Sequence, residues 1–397
     1  MGYRGSRKEP STMPGLTRPK LRTIRARIIP LLVLLTLTSL PSCERAQQPR
    51  EIKIGAILPL TGDAASWGDQ GKKGIDLAAE EINSAGGIDG SRLVVIYEDT
   101  QATPRRAATA MQKLCTVDRV SAVIGDIVSA TTLAVAPIAE QNRVLLLSPT
   151  ASAPAISDVG DYIFRIWPSD IAEGTAIVEF AFQTLGLRRV AILYIENDYG
   201  VGLRRVFEKK FSGLGGTITA ALGYKQDETD FRSYLTKIRG SAPEAIYLVS
   251  YYKDASLALR QARELGIRSE FLGTTALEDP HLISIAGRAA DGVIYPMSTG
   301  YDPKSADTAV QDFKARFRAR FGEDPGFVSA HAYDALKLIA FAMKISGTTG
   351  PEIRTGLLRV RDFHGATGTI NFDSKGDVIK QTTIKEIRNG QFVHYSR

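Results

Sequence analysis

The chain has 397 residues, with 50 lysines and arginines against 43 aspartates and glutamates. Eight of those bases and one of the acids precede residue 43, so the remainder carries 42 of each and is formally neutral. A nucleic-acid footprint requires clustered excess cations in the folded part, and this balance excludes one. The length beyond residue 43, about 350 residues, suffices for two domains with separate cores.

The first element is a leader. Arg22, Arg25 and Arg27 precede an apolar run over residues 28–40, in the order of a secretory signal. A membrane-spanning helix needs about 20 apolar residues, more than this run holds. Leu40, Pro41, Ser42 and Cys43 resemble the lipobox of bacterial lipoproteins, with Pro41 as a departure. That resemblance implies a signal peptide over residues 1–42 and a diacylglycerol thioether on Cys43. Cleaved secretion without lipid and a retained anchor are the other fates such a leader allows, and Met13 is an alternative start. Residues 43–50 are polar and contain Pro49, which predicts a flexible tether. Glu44, where an aspartate would indicate inner-membrane retention, leaves an outer-membrane destination open. The other cysteine, Cys115, shares a predicted helix face with Ala107, Met111 and Leu114 and reads as a buried structural thiol.

From residue 52 onward, short β-branched runs alternate with longer helical stretches. The runs are IKIGAILP (52–59), LVVIYED (93–99), VSAVIGD (120–126), RVLLLSP (143–149), RVAILYIE (189–196), AIYLVSY (245–251) and DGVIYPM (291–297). Near-continuous Val, Ile and Leu of this kind marks parallel strands covered by helices on both faces. A helix over residues 70–85 carries Ile75, Ala78, Ala79 and Ile82 at helical spacing and stops at Gly86 and Gly87. The predicted class is α/β with doubly wound parallel sheets.

In such sheets ligands sit beyond the carboxyl ends of the strands. The first such loop places Thr61, Gly62 and Trp67 between strand and helix. Ser129, Thr131 and Thr132 follow at a helix start, where free N–H groups and hydroxyls hold a carboxylate. A Ser/Thr-rich turn bracketed by prolines, SPTASAP (148–154), comes third, and Tyr199 and Tyr251 lie just past two later strands. Hydroxyls, amides and aromatic faces without a concentration of cations suit a small polar ligand with one apolar side. Local capping and core packing are the competing roles for these side chains.

The succession GAILPLTG (55–62), GDQGKKGIDLAAEEIN (68–83), VIGDIVSATTLAVAPIAE (123–140), SPTASAP, YGVGLRR (199–205), DFRSYLTKIR (230–239), LRQARELGI (259–267) and FHGATGTINFDSKGD (363–377) resembles the branched-chain amino-acid type of periplasmic substrate-binding lipoprotein, the extracytoplasmic component of an ABC importer. The resemblance runs from Ile52 to the end. It implies two α/β lobes joined by a three-strand hinge, with crossings near residues 167–168, 296–300 and 373–376. Lobe 1 then comprises residues 51–168 and 298–374, and lobe 2 residues 169–297 and 375–397. It implies that Ser129, Thr150 and Ser152 hold a ligand carboxylate, that Trp67, Tyr199 and Tyr251 cover the ligand, and that Val128 lines its side-chain pocket. Such binders present an acid after the strand preceding GTTALEDPHL (273–282), and here that position is Thr275. Either Glu278 turns into the cleft or the ligand has no ammonium group, because a buried unpaired ammonium is costly. A solvated N-cap is the alternative role for Glu278 and Asp279.

His281, His331, His364 and His394 are scattered without metal spacing, and no G-x-S-x-G elbow is present. The Gly-rich pieces follow helices, whereas phosphate loops precede them. The expectation is therefore a monomeric binding protein without catalytic residue, metal or cofactor. Its expected partners are a small carboxylate or amino acid, an ABC permease and, through Cys43, a membrane. A ligand sensor or cell-envelope regulator on the same fold is the alternative.

Overall fold

Residues 50–396 are described by a computed structural model; the leader and Cys43 lie outside them. Lobe 1 is built on β1 (Glu51–Leu58), β2 (Arg92–Asp99), β3 (Ala122–Ile124), β4 (Leu145–Ser148) and β5 (Ile163–Arg165). They form a wholly parallel sheet in the order β2-β1-β3-β4-β5. The fully buried β3 and β4 explain the unbroken apolar runs, since neither face of these strands meets water.

Helices α1 (Ala65–Ser84), α2 (Pro104–Lys113) and α3 (Ser129–Asn142) connect these strands. Ile75, Ala78 and Ile82 of α1 are buried, as their spacing requires. At Gly74 a Cβ would lie 2.2 Å from the carbonyl oxygen of Ser329, so only glycine permits this approach to a later helix. Ala107, Met111 and Leu114 are buried, whereas Cys115 is half-buried and its thiol is pushed up to about 11 by burial.

The chain then enters lobe 2, with α4 (Asp170–Glu179), β6 (Arg189–Ile195), α5 (Asp198–Gly213), β7 (Thr217–Tyr224), α6 (Arg232–Gly240), β8 (Ala245–Val249), α7 (Tyr252–Glu264), β9 (Glu270–Leu272), α8 (Pro280–Ala286) and β10 (Ile294–Ser298). It returns to lobe 1 for α9 (Thr308–Phe321), α10 (Phe327–Ser346) and α11 (Gly350–Arg359). A hairpin of β11 (Phe363–Gly365) and β12 (Gly368–Ile370) follows. The last crossing delivers β13 (Thr382–Arg388) and β14 (Gln391–His394) to the lobe 2 sheet, whose order is β14-β13-β10-β9-β8-β6-β7. β13 runs antiparallel to β10, so the second sheet is mixed rather than purely parallel.

Arg165, fully buried, fixes the crossings. Its guanidinium donates to both carboxylate oxygens of Asp377, to the Ser157 hydroxyl and to the carbonyls of Ser152 and Ala153. Its backbone N–H donates to the Gly376 carbonyl. Among the described residues, no helix is long and apolar enough to cross a membrane.

The cleft between the lobes

The carboxyl ends of both sheets face one cavity between the lobes. Lobe 1 contributes Trp67, Ile127, Val128, Ser129, Thr150 and Ser152, and the start of α10 adds Phe327 and Val328. Tyr199, Tyr251, Thr275 and Ala276 come from lobe 2. The structure thus brings together eight of the nine residues expected at the ligand.

The positioning of each follows from local chemistry. Asp99 accepts from the N–H groups of Leu60 and Thr61 and from the Thr61 hydroxyl, pinning the loop after β1. The helix then starts at Ala65, earlier than the apolar spacing implies, so Trp67 lies in the first turn of α1 and not in a loop. Ser129 is the first residue of α3, and its hydroxyl oxygen accepts from the N–H groups of Ser152 and Ala153, both at 3.1 Å. Thr150 donates to the carbonyl of Ile127 at 3.2 Å. The helix start and the Ser/Thr turn therefore form one unit, with N–H groups and hydroxyls gathered where a carboxylate would be favoured.

Tyr251 precedes α7, accepts a hydrogen bond from Asn197 Nδ2 and stacks on Tyr199 with ring centroids 5.6 Å apart. Trp67 meets Tyr251 and Tyr252 edge-on, at 5.3 Å in each case. Because Trp67 belongs to lobe 1 and the tyrosines to lobe 2, the lobes are closed on each other. Asp279 supports this closure: it caps α8 through the His281 N–H and accepts from the Ser66 hydroxyl across the cleft. Lys253 pairs with Asp63 in the same seam.

Glu278 is the exception. It turns away from the cleft, accepts from the Tyr295 hydroxyl and forms an ion pair with Lys385 of β13 at 2.6 Å. The neighbouring strands supply both partners, leaving no reason for it to face a ligand. The acid that does line the cavity is Glu173 of α4. Its carboxylate accepts from the Thr275 N–H at 2.9 Å and the Thr275 hydroxyl at 3.0 Å. Burial raises its pKa from 4.5 to about 7, against the opposing effect of these hydrogen bonds. Asp170, one turn earlier and fully buried, is also raised, by burial and then by the charge of Glu173. In the sequence, Glu173 lies outside every run and loop that the apolar pattern singles out. Trp167, Ile127, Ala276, Phe327 and Val328 were equally invisible there, since apolar residues at element ends read as core.

Among the described residues, no group of His, Cys, Asp and Glu is arranged to hold a metal ion. The cavity offers hydroxyls, amides, aromatic faces and a carboxylate, which suit binding of a small solute.

A family model described as periplasmic binding protein matches residues 51–391, and the chain belongs to that family. A leucine-binding protein from Thermotoga maritima is 31% identical, with a TM-score of 0.82 over 87% of this chain and 98% of that one. A branched-chain amino-acid transporter substrate-binding protein from Streptococcus pneumoniae, solved in complex with isoleucine, is 29% identical with a TM-score of 0.80, over 86% and 98% of the two chains. The leucine-, isoleucine-, valine-, threonine- and alanine-binding protein of Pseudomonas aeruginosa is 29% identical over 82% of this chain and 87% of its own. The protein is an extracytoplasmic solute-binding protein of the type I periplasmic fold.

Proposed function

We propose that the chain is the solute-binding component of an ABC importer and takes an amino acid or related small carboxylate with an aliphatic side chain. The observation that carries this reading is the division of labour in the cleft. Ser129, Thr150 and Ser152 gather hydrogen-bonding groups on lobe 1, while Val128, Ile127, Phe327 and Val328 make an apolar wall beside them. The three relatives named above, whose names specify aliphatic amino acids or threonine, support the same ligand class. Closure of the lobes around the solute presents one compact shape to a permease. The protein acts as a monomer, tethered by a lipidated Cys43 and the segment that follows it.

Calorimetry of the purified, dialysed protein against leucine, isoleucine, valine, alanine and benzoate tests the ligand class. Binding of at least one of the four amino acids is expected; binding of benzoate alone, or failure of all five, removes the reading. Mass spectrometry of the membrane fraction tests the tether: a diacylglycerol adduct on Cys43 is expected, and recovery of the unmodified chain in the soluble fraction contradicts it.

A further inference from the structure

The cavity holds a carboxylate that pairs with no cation among the described residues. Glu173 is 6% exposed and Asp170 is fully buried beside it, yet neither has an ion pair among the described residues. The nearby cation, Arg165, points its donors at Asp377, Ser157 and two carbonyls. Glu173 receives two hydrogen bonds, both from Thr275, whereas an ionised carboxylate offers about four acceptor positions. Neither oxygen of Asp170 finds a hydrogen-bond partner of good geometry, and the buried Trp67 Nε1 on the opposite wall is likewise unpartnered. Buried charge of this kind is retained where a partner completes it.

We infer that Glu173 is the counter-charge for a ligand ammonium group and thereby selects α-amino acids over the corresponding deaminated acids. This rests on the small-carboxylate reading above and narrows it. The geometry places the acid on lobe 2, while the carboxylate-binding turns Ser129 and Ser152 lie on lobe 1. An α-amino acid carries its two charged groups on one carbon, so it spans the cleft and makes contact with both lobes. Thr275 holds the carboxylate of Glu173 in place through its N–H and hydroxyl, which makes Thr275 a positioning residue. The acid reaches the cleft from α4 instead of from the loop that contains Thr275 and Glu278. Asp170, one turn earlier on α4, is fully buried and does not reach the cavity wall.

The test compares leucine with 4-methylpentanoate, which is leucine without its amino group, by calorimetry on wild-type protein, Glu173→Gln and Glu278→Gln. Leucine is expected to bind wild type at least about 100-fold more tightly than 4-methylpentanoate, and to lose about 100-fold in Glu173→Gln, the scale for removing one partner of a buried charge pair. Binding of leucine to Glu278→Gln is expected to stay within about threefold of wild type. The wild-type comparison stands even where Glu173→Gln fails to fold. Unchanged leucine affinity in a folded Glu173→Gln, or a wild-type preference for 4-methylpentanoate, overturns the inference and leaves the small-carboxylate reading intact. Absence of binding by both probes also overturns the inference, while the small-carboxylate reading then stands or falls with the other ligands of the calorimetric panel.

Discussion

The Arg165 guanidinium and the Asp377 carboxylate face each other through two parallel hydrogen bonds, 2.7 and 2.9 Å long. The pair joins the first and third crossings between the lobes, and Arg165 is completely buried. Removing the carboxylate leaves a charge that the interior cannot solvate. Asp377→Asn is expected to destabilise the protein by about 3 kcal/mol, measured by urea unfolding. A loss below about 0.5 kcal/mol would show that the remaining acceptors are enough for Arg165.

The closure seam separates strong from weak contacts. The Ser66 hydroxyl reaches the fully buried Asp279 at 2.8 Å, whereas Lys253 is about half exposed where it meets Asp63. Ser66→Ala is expected to weaken ligand binding by about fivefold, the equivalent of one hydrogen bond. Lys253→Ala should cost less than about threefold and lose its effect at high salt. Small-angle scattering of ligand-free Ser66→Ala should show a larger radius than the wild type; an equal radius would place the effect elsewhere.

Ser129 and Ser152 should differ in a way their positions in sequence do not announce. The Ser129 hydroxyl oxygen accepts two N–H groups from the 152–153 turn, so it shapes the carboxylate site as well as lining it. Ser129→Ala is expected to lose about 1–2 kcal/mol of stability, because two buried donors are left unpaired. Ser152→Ala should weaken binding about tenfold and leave the unfolding midpoint unchanged. Equal unfolding midpoints for the two variants would remove this distinction.

Proton linkage gives a further expectation. Glu173 lies near 7 when folded and at 4.5 when free, because burial disfavours its charge. The groups facing it include Asp170, Tyr199, Tyr247 and, through Asp170, Arg165. A carboxylate raised on folding holds its proton longer in the native state, so its contribution to stability falls as pH rises from about 4.5 to about 7. Asp126 and Asp334, raised to about 6 by burial, add to the same trend. An ammonium ligand requires the ionised acid, so leucine affinity is expected to climb by up to about tenfold per pH unit below 7 and to level above it. Glu173→Gln should flatten the profile, and calorimetry in buffers of different ionisation enthalpy should count the proton released by wild type.

The sequence showed the sheets more fully than it showed the site. The seven apolar runs became strands because burial on both faces leaves a continuous signature. β7 was missed: at the sheet edge, its Thr, Ala and Gly residues are half-exposed and form no such run. β5 (IFR) and β9 (EFL) each span three residues and include a charged one, so neither forms an unbroken apolar run. In the site, Ser129, Ser152 and Tyr251 were recognisable because they follow strands directly. Glu173 was not, because its role depends on Thr275, 102 positions later. Glu278 was misplaced for the converse reason. It is close to Thr275 in sequence, but Lys385, 107 positions away, decides where it points.

The chain contains two tryptophans, and both line the cleft. Trp67 sits edge-on to the tyrosines of lobe 2, and Trp167 lies against Phe327 and His331 near the first crossing. All indole emission from this protein therefore originates at the one place where solute enters and the lobes meet. The molecule carries a built-in optical gauge of its own occupancy, and an unlabelled sample in a fluorimeter can report capture and release in real time.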